Sequence, residues 1–163
     1  KTLPAVSGRP EAETAVAFPF SVRRGIGLWK RFAMAGDPPP PAETNETIAR
    51  GAYLSNALGH CGQCHTPRTA LYALDTDRWM AGAPSLGGRG FVPNLTPSGD
   101  GLGDWSAGDI AYLLETGFTP DFDSIGGDMA AVVDAWSQLP ASDREAVAAY
   151  LEALEPLPSA RRD

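Results

Sequence analysis

The chain has 163 residues, 43% of them hydrophobic and 20% charged, which is material for one domain of ordinary size with an extension. Thirteen Lys and Arg stand against 20 Asp and Glu, a net charge of −7, which argues against nucleic acid and against anionic membrane surfaces. No apolar run approaches membrane-spanning length. The two cysteines lie three residues apart, so a disulfide framework is excluded and one short motif carries all the thiol chemistry.

Residues 1–43 are proline-rich and poorly periodic and are expected to form an N-terminal extension or interdomain strap. The run Pro38-Pro39-Pro40-Pro41 favours an extended, stiff connector. The stretch from Gly27 to Met34 predicts one or two helical turns, with Trp29, Phe32 and Met34 as a hydrophobic strap laid on the main domain. That domain is expected over 44–156, followed by a short tail over 157–163.

A helix is predicted from Thr44 to Leu58. Ile48, Ala49, Ala52 and Tyr53 form its apolar stripe, and Thr44 or Asn45 is its cap. Gly59 is predicted to end it in a left-handed turn. Residues 66–104 show no sustained period and are broken by Gly82, Pro84, Gly87, Gly88, Gly90, Pro93 and Pro97, among others. A loop that long is compatible with a compact domain if it wraps a large nonprotein group. A second helix is predicted over Ala107–Thr116, capped by Ser106, with Asp109 in its first turn and Gly117 after its end. A third is predicted over Met129–Ser137, with Asp128 as cap and Val132, Val133 and Trp136 inward. The last is predicted over Asp143–Leu154. Ser142 and Glu145 have capping-box spacing there, and Ala146, Val147, Tyr150, Leu151 and Leu154 form the buried stripe. No alternating strand pattern of any length is visible, so the class is all-α with long loops.

Between the first helix and the long loop lies Cys61-Gly62-Gln63-Cys64-His65, the C-x-x-C-H signature of c-type haem attachment. Two thiols on a tight turn opening a helix can each add to one porphyrin vinyl group. The residue that follows then projects an imidazole at the iron. A structural zinc site wants four N or S ligands, commonly as two pairs, and only one pair exists here. A thioredoxin-like dithiol wants a βαβ setting that this chain lacks. His60 adjoins the motif and cannot reach an iron held by His65. The sixth-ligand candidates are Met34, Met80 and Met129. Met129 is favoured because a glycine-rich loop, Gly126-Gly127, turns into a helix at that point.

With these residues in place, the chain resembles a class I c-type cytochrome domain. It is similar in particular to the later haem domains of multihaem cytochrome subunits serving membrane-associated alcohol, aldehyde and gluconate-type dehydrogenases. The resemblance rests on Phe18-Pro19-Phe20 with Trp29-Lys30, on Arg50-Gly51-Ala52-Tyr53-Leu54, and on Gly59 through Arg68. It continues through Pro93-Asn94-Leu95-Thr96-Pro97, Gly101 through Ser106, and Gly127-Asp128-Met129-Ala130. It implies a class I cytochrome c fold of about four helices around one covalent haem c. Cys61 and Cys64 would carry it, His65 and Met129 would be axial, and Arg68, Asn94 and Trp105 would line it or reach its propionates. Lys1-Thr2-Leu3-Pro4 is similar to the tail of a preceding haem domain, so the chain is expected to be an excised piece of a longer protein or a single-haem relative. The resemblance further implies a periplasmic or periplasm-facing, non-enzymatic electron relay. Its partners would be a dehydrogenase subunit, a respiratory acceptor and further haem domains of a parent chain. The alternatives are a peroxidase or thiosulfate-oxidising enzyme, or a haem-based sensor, each working by displacement of the Met ligand.

Overall fold

A computed structural model describes residues 17–19, 21–33, 36, 38–85, 87 and 90–160. The chain divides into two units, Lys1–Ala35 and Gly36–Asp163. In the first, helix α1 spans Arg23–Ala33, three turns where the sequence predicts one or two. No residue of α1 is buried, and Trp29 and Phe32 remain 37% and 66% exposed. Met34 lies outside the described residues.

The second unit is built on helices, as predicted for an all-α cytochrome c-like class. Helix α2 (Glu46–Tyr53) starts where the Asn45 side chain accepts the Ile48 N–H at 2.9 Å, satisfying one of the orphan donors of the first turn. It continues as a π-helical segment, Leu54–Leu58. Helix α3 is the single turn Cys61–His65. Helices α4 (Ala107–Thr116), α5 (Asp128–Ser137) and α6 (Ala141–Glu152) follow the long loop. The largest interface of the unit is α2 against α6, and α4 packs on both α5 and α6. Gly51 makes the first crossing close. A Cβ there would lie 1.9 Å from the Ala146 carbonyl oxygen on α6, so only glycine lets the two backbones touch.

Helix α4 matches its prediction from end to end. Ser106 and Asp109 cap each other reciprocally, and Gly117 follows in the left-handed conformation. Two other starts differ. Asp128 is the first helical residue of α5 and caps nothing; Gly127 stands at that position without a side-chain cap. Helix α6 begins two residues early, directly after Pro140, whose carbonyl accepts from the N–H groups of Asp143 and Arg144. Ser142 is therefore inside the helix. The loop also contains two short antiparallel strands, β1 (Ala83–Pro84) and β2 (Phe91–Val92), which no alternation in sequence announces.

The core is a cluster of Ile48, Leu54, Trp79, Met80, Ile110, Leu114, Trp136, Val147, Ala148, Tyr150, Leu151 and Leu154. Trp136 comes from α5, and Tyr150 is fully buried in α6. Its hydroxyl accepts from Asn56 Nδ2 at 3.1 Å and Trp79 Nε1 at 3.3 Å. One phenol thus ties α6 to the π segment and to the loop. Residues 157–160 are bound into the same loop. Leu157 O accepts from Asn94 Nδ2 at 2.8 Å, and the Ala160 N–H donates to Ala81 O at 2.9 Å.

Arg50 on α2 makes a bidentate pair with Asp143 on α6, both contacts at 2.9 Å. The guanidinium's hydrogen bonds hold the Asp143 carboxyl below its ordinary range. A carboxyl whose pKa is depressed by folding stabilises the fold above its unfolded pKa of about 3.9, and that stability is lost as pH falls through the lower folded value. Asp143→Asn is therefore expected to be slightly less stable near neutrality. Urea titrations should show that difference from the parent closing as pH falls below about 4.

Candidate haem-binding site

The attachment turn is positioned by three neighbours. The π segment closes with the Gly59 N–H donating to Leu54 O at 2.7 Å, and Gly59 itself stays right-handed. The left-handed residue is His60, at φ 52°. The sequence places that reversal on Gly59; the five-residue hydrogen bond holds Gly59 in the helix and moves the reversal one residue on. His60 is exposed. Beneath the turn lies Trp79. A Cβ on Gly62 would stand 2.4 Å from Cη2 of its ring, so the indole packs directly on the backbone between the cysteines. On the outer side, Arg68 Nη2 donates to Gln63 O and Oε1, each at 3.1 Å, bracing the turn from the residue after Pro67.

His65 is 6% exposed. Its Nδ1 donates to Pro93 O at 2.8 Å, and its own carbonyl accepts the Gly82 N–H at 2.8 Å. A carbonyl can only accept, so Nδ1 carries the hydrogen and Nε2 is the lone-pair nitrogen. Burial lowers the imidazole pKa, and the bond to Pro93 opposes this only in part. The ring is thus held neutral and in the tautomer a metal ligand needs. Burial pushes the Cys61 thiol up to about 11. Cys64 is exposed, and both thiols are free.

The two methionines differ in setting. Met80 is fully buried in the core cluster and adopts φ 59°. Its N–H donates to Thr66 Oγ1 at 3.0 Å and its carbonyl accepts from Leu95 N at 2.8 Å. Its N–H is therefore fastened to the residue after His65, and its carbonyl to the loop that presents the Pro93 carbonyl. Met129 is the second residue of α5, partly buried and packed against the core. Trp105 is also partly buried there, one residue before the Ser106 cap. Asn94 is 2% exposed. Its amide nitrogen donates to Leu157 O and Ser98 Oγ, and its Oδ1 accepts from Thr96 N at 2.8 Å. Those bonds fasten the Asn94 side chain within the loop. Its position makes it the anchor of the loop that presents the Pro93 carbonyl. The importance of Trp79, Thr66 and the Pro93 carbonyl is not visible in any spacing. Only the adjacency of Pro93 to Asn94 in a recognisable run hints at the last.

The donor set fits c-type haem. Two free thiols lie on one helical turn, a neutral imidazole presents its lone pair on Nε2, and a glycine between the cysteines admits the Trp79 ring. Cys61, Cys64 and His65 would hold the group.

Several relatives are named as c-type cytochromes or cytochrome subunits. The chain is 50% identical over 157 residues to the diheme cytochrome c-type of Cereibacter sphaeroides, covering 93% of this chain and 50% of that protein. It is 36% identical over 148 residues to the fructose dehydrogenase cytochrome subunit of Gluconobacter japonicus, covering 89% of this chain and 30% of the relative. It is 37% identical over 164 residues to the alcohol dehydrogenase (quinone) cytochrome c subunit of Gluconacetobacter polyoxogenes, covering 92% and 34%. No family model matches the chain. The helical fold is that of a class I c-type cytochrome domain, and the chain is similar over most of its length to the cytochrome c subunits of fructose, alcohol and gluconate dehydrogenases. It spans half the length, or less, of the curated relatives it matches.

Proposed function

We propose that this domain is a non-enzymatic electron relay, periplasmic or periplasm-facing. It holds one covalent haem c and passes electrons between a dehydrogenase and a respiratory acceptor. The observation that carries the reading is the His65 imidazole, buried, neutral and oriented by the Pro93 carbonyl. When bound, the haem supplies a one-electron couple.

The chain's own residues set the conditions for that couple. Cys61 and Cys64 fasten the group covalently. His65 would hold the group through Nε2 while Nδ1–H stays on Pro93, which fixes the ring and would raise its basicity as a ligand. Met129, at the start of α5, would hold the group as its second side-chain ligand, and a thioether in that role would raise the potential. Arg68 and Trp105 line the group, and Asn94 acts through Pro93. If His65 and Met129 both hold the group, it would have no position open to substrate. The relatives' names support dehydrogenase partners, and the net charge of −7 favours a cationic patch on the partner, which speeds docking.

Two measurements test this. The reduced protein should keep its spectrum under carbon monoxide; a shift would favour the peroxidase or sensor alternatives. Stopped-flow electron-transfer rates with a cationic partner should fall as salt rises. Rates flat across ionic strength would remove the docking argument.

A further inference from the structure

The net charge hides a sharp division. Residues 1–35 hold six Lys and Arg against two Asp and Glu, and residues 36–163 hold seven against 18. The first unit is thus net +4 and the second net −11. Four of the six cations, Arg23, Arg24, Lys30 and Arg31, lie in α1, which has no acidic residue. None of them belongs to the ion pairs among the described residues.

Their arrangement is as uneven as their number. At about 100° per residue, Lys30, Arg23, Arg31 and Arg24 fall on one arc of roughly 120°, and Leu28, Phe32, Trp29 and Ile26 fall on the opposite arc of roughly 160°. Ile26, Leu28 and Phe32 are 50%, 61% and 66% exposed. Val22 and Phe18, just before the helix, are 49% and 82% exposed. A wide apolar face with aromatic residues, opposed by an all-cationic face, is the pattern of a helix lying in a bilayer interface. Among the described residues no helix is long and apolar enough to cross a membrane, so α1 can lie on one without spanning it.

We propose that α1 is an interfacial helix that binds anionic lipid. Ile26, Leu28, Trp29 and Phe32 enter the acyl boundary, and Arg23, Arg24, Lys30 and Arg31 meet the lipid phosphates. The lipid surface is favoured over an acidic protein because the cations form one unbroken arc of a single sign. A protein interface usually mixes signs at its rim to fix orientation. The strongly acidic second unit is repelled by the same surface, so binding rests on α1 alone. The inference is independent of the haem reading, since α1 contains none of the residues assigned to that site.

The test is co-sedimentation of the haem-loaded chain with vesicles of equimolar phosphatidylcholine and phosphatidylglycerol, compared with phosphatidylcholine alone. Binding is expected to the anionic vesicles and to weaken with salt. Removing charge in Arg23→Gln with Arg24→Gln should lower the affinity about fivefold per charge. Phe32→Asp should abolish binding while leaving the optical spectrum intact, which shows that the fold survives. Three results would overturn the proposal: the parent chain staying in the supernatant, Phe32→Asp binding as well as the parent, or α1-dependent association of the chain with itself that vesicles do not compete away.

Discussion

Gly51→Ala is expected to destabilise the domain by about 3 kcal/mol. In an exposed helix the same change would stabilise by up to about 1 kcal/mol, because alanine is the better helix former. Here the new methyl group would lie 1.9 Å from the Ala146 oxygen, 2.5 Å from its carbonyl carbon and 2.8 Å from Tyr150 Cβ. None of these is the end of a flexible side chain, so α2 and α6 must move apart. That movement would loosen the packing of Ile48, Leu54, Val147 and Tyr150 together. Urea unfolding of the haem-loaded protein would show a lower midpoint with an unchanged slope. A variant as stable as the parent would mean that the two helices do not cross in contact at this point.

Met129→Ala is expected to abolish the far-red sulfur-to-iron band of the oxidised protein, open the iron to carbon monoxide and lower the midpoint potential. The fall should be of order 0.1–0.3 V, within the roughly 0.8 V that axial ligands command. Met80→Ala is the control with the opposite profile. Met80 is fully buried in the core, and its backbone is fastened to Thr66 and Leu95. Its truncation should therefore lower stability by about 2–5 kcal/mol and leave the band in place. The reverse pattern, with the band surviving Met129→Ala and lost in Met80→Ala, would exchange the roles assigned to the two residues.

The parts of this fold that sequence discloses are those fixed by short-range chemistry. Helix α4 is legible to the residue because Ser106, Asp109 and Gly117 each act within a turn of themselves. The C-x-x-C-H run is legible because attachment chemistry demands that spacing. The starts of α5 and α6 are misread for a common reason. Asp128 and Ser142 are good caps in isolation, but Gly127 and Pro140 already stand at the boundary, and Pro140 offers a carbonyl that nucleates α6 two residues early. The long loop has no period to read because its order comes from distant partners. His65 reaches Pro93, Asn94 reaches Leu157, and Trp79 reaches Tyr150. Such pairs exist only once the chain has folded around them. The charge division is plain in the sequence once the chain is read in two parts, and a single net value conceals it.

The π-helical stretch Leu54–Leu58 has a geometric consequence for the residues downstream. Relative to an uninterrupted α-helix, a widened turn inserts one extra residue, which swings everything after it by roughly 100° about the axis. The Gly59 end of the segment, and the His60 reversal that opens the attachment turn, thereby start from an azimuth that an uninterrupted helix from the Gly51 crossing would not give them. Deleting a single residue from this stretch would tidy the helix and aim the cysteines at the wrong side of the bundle.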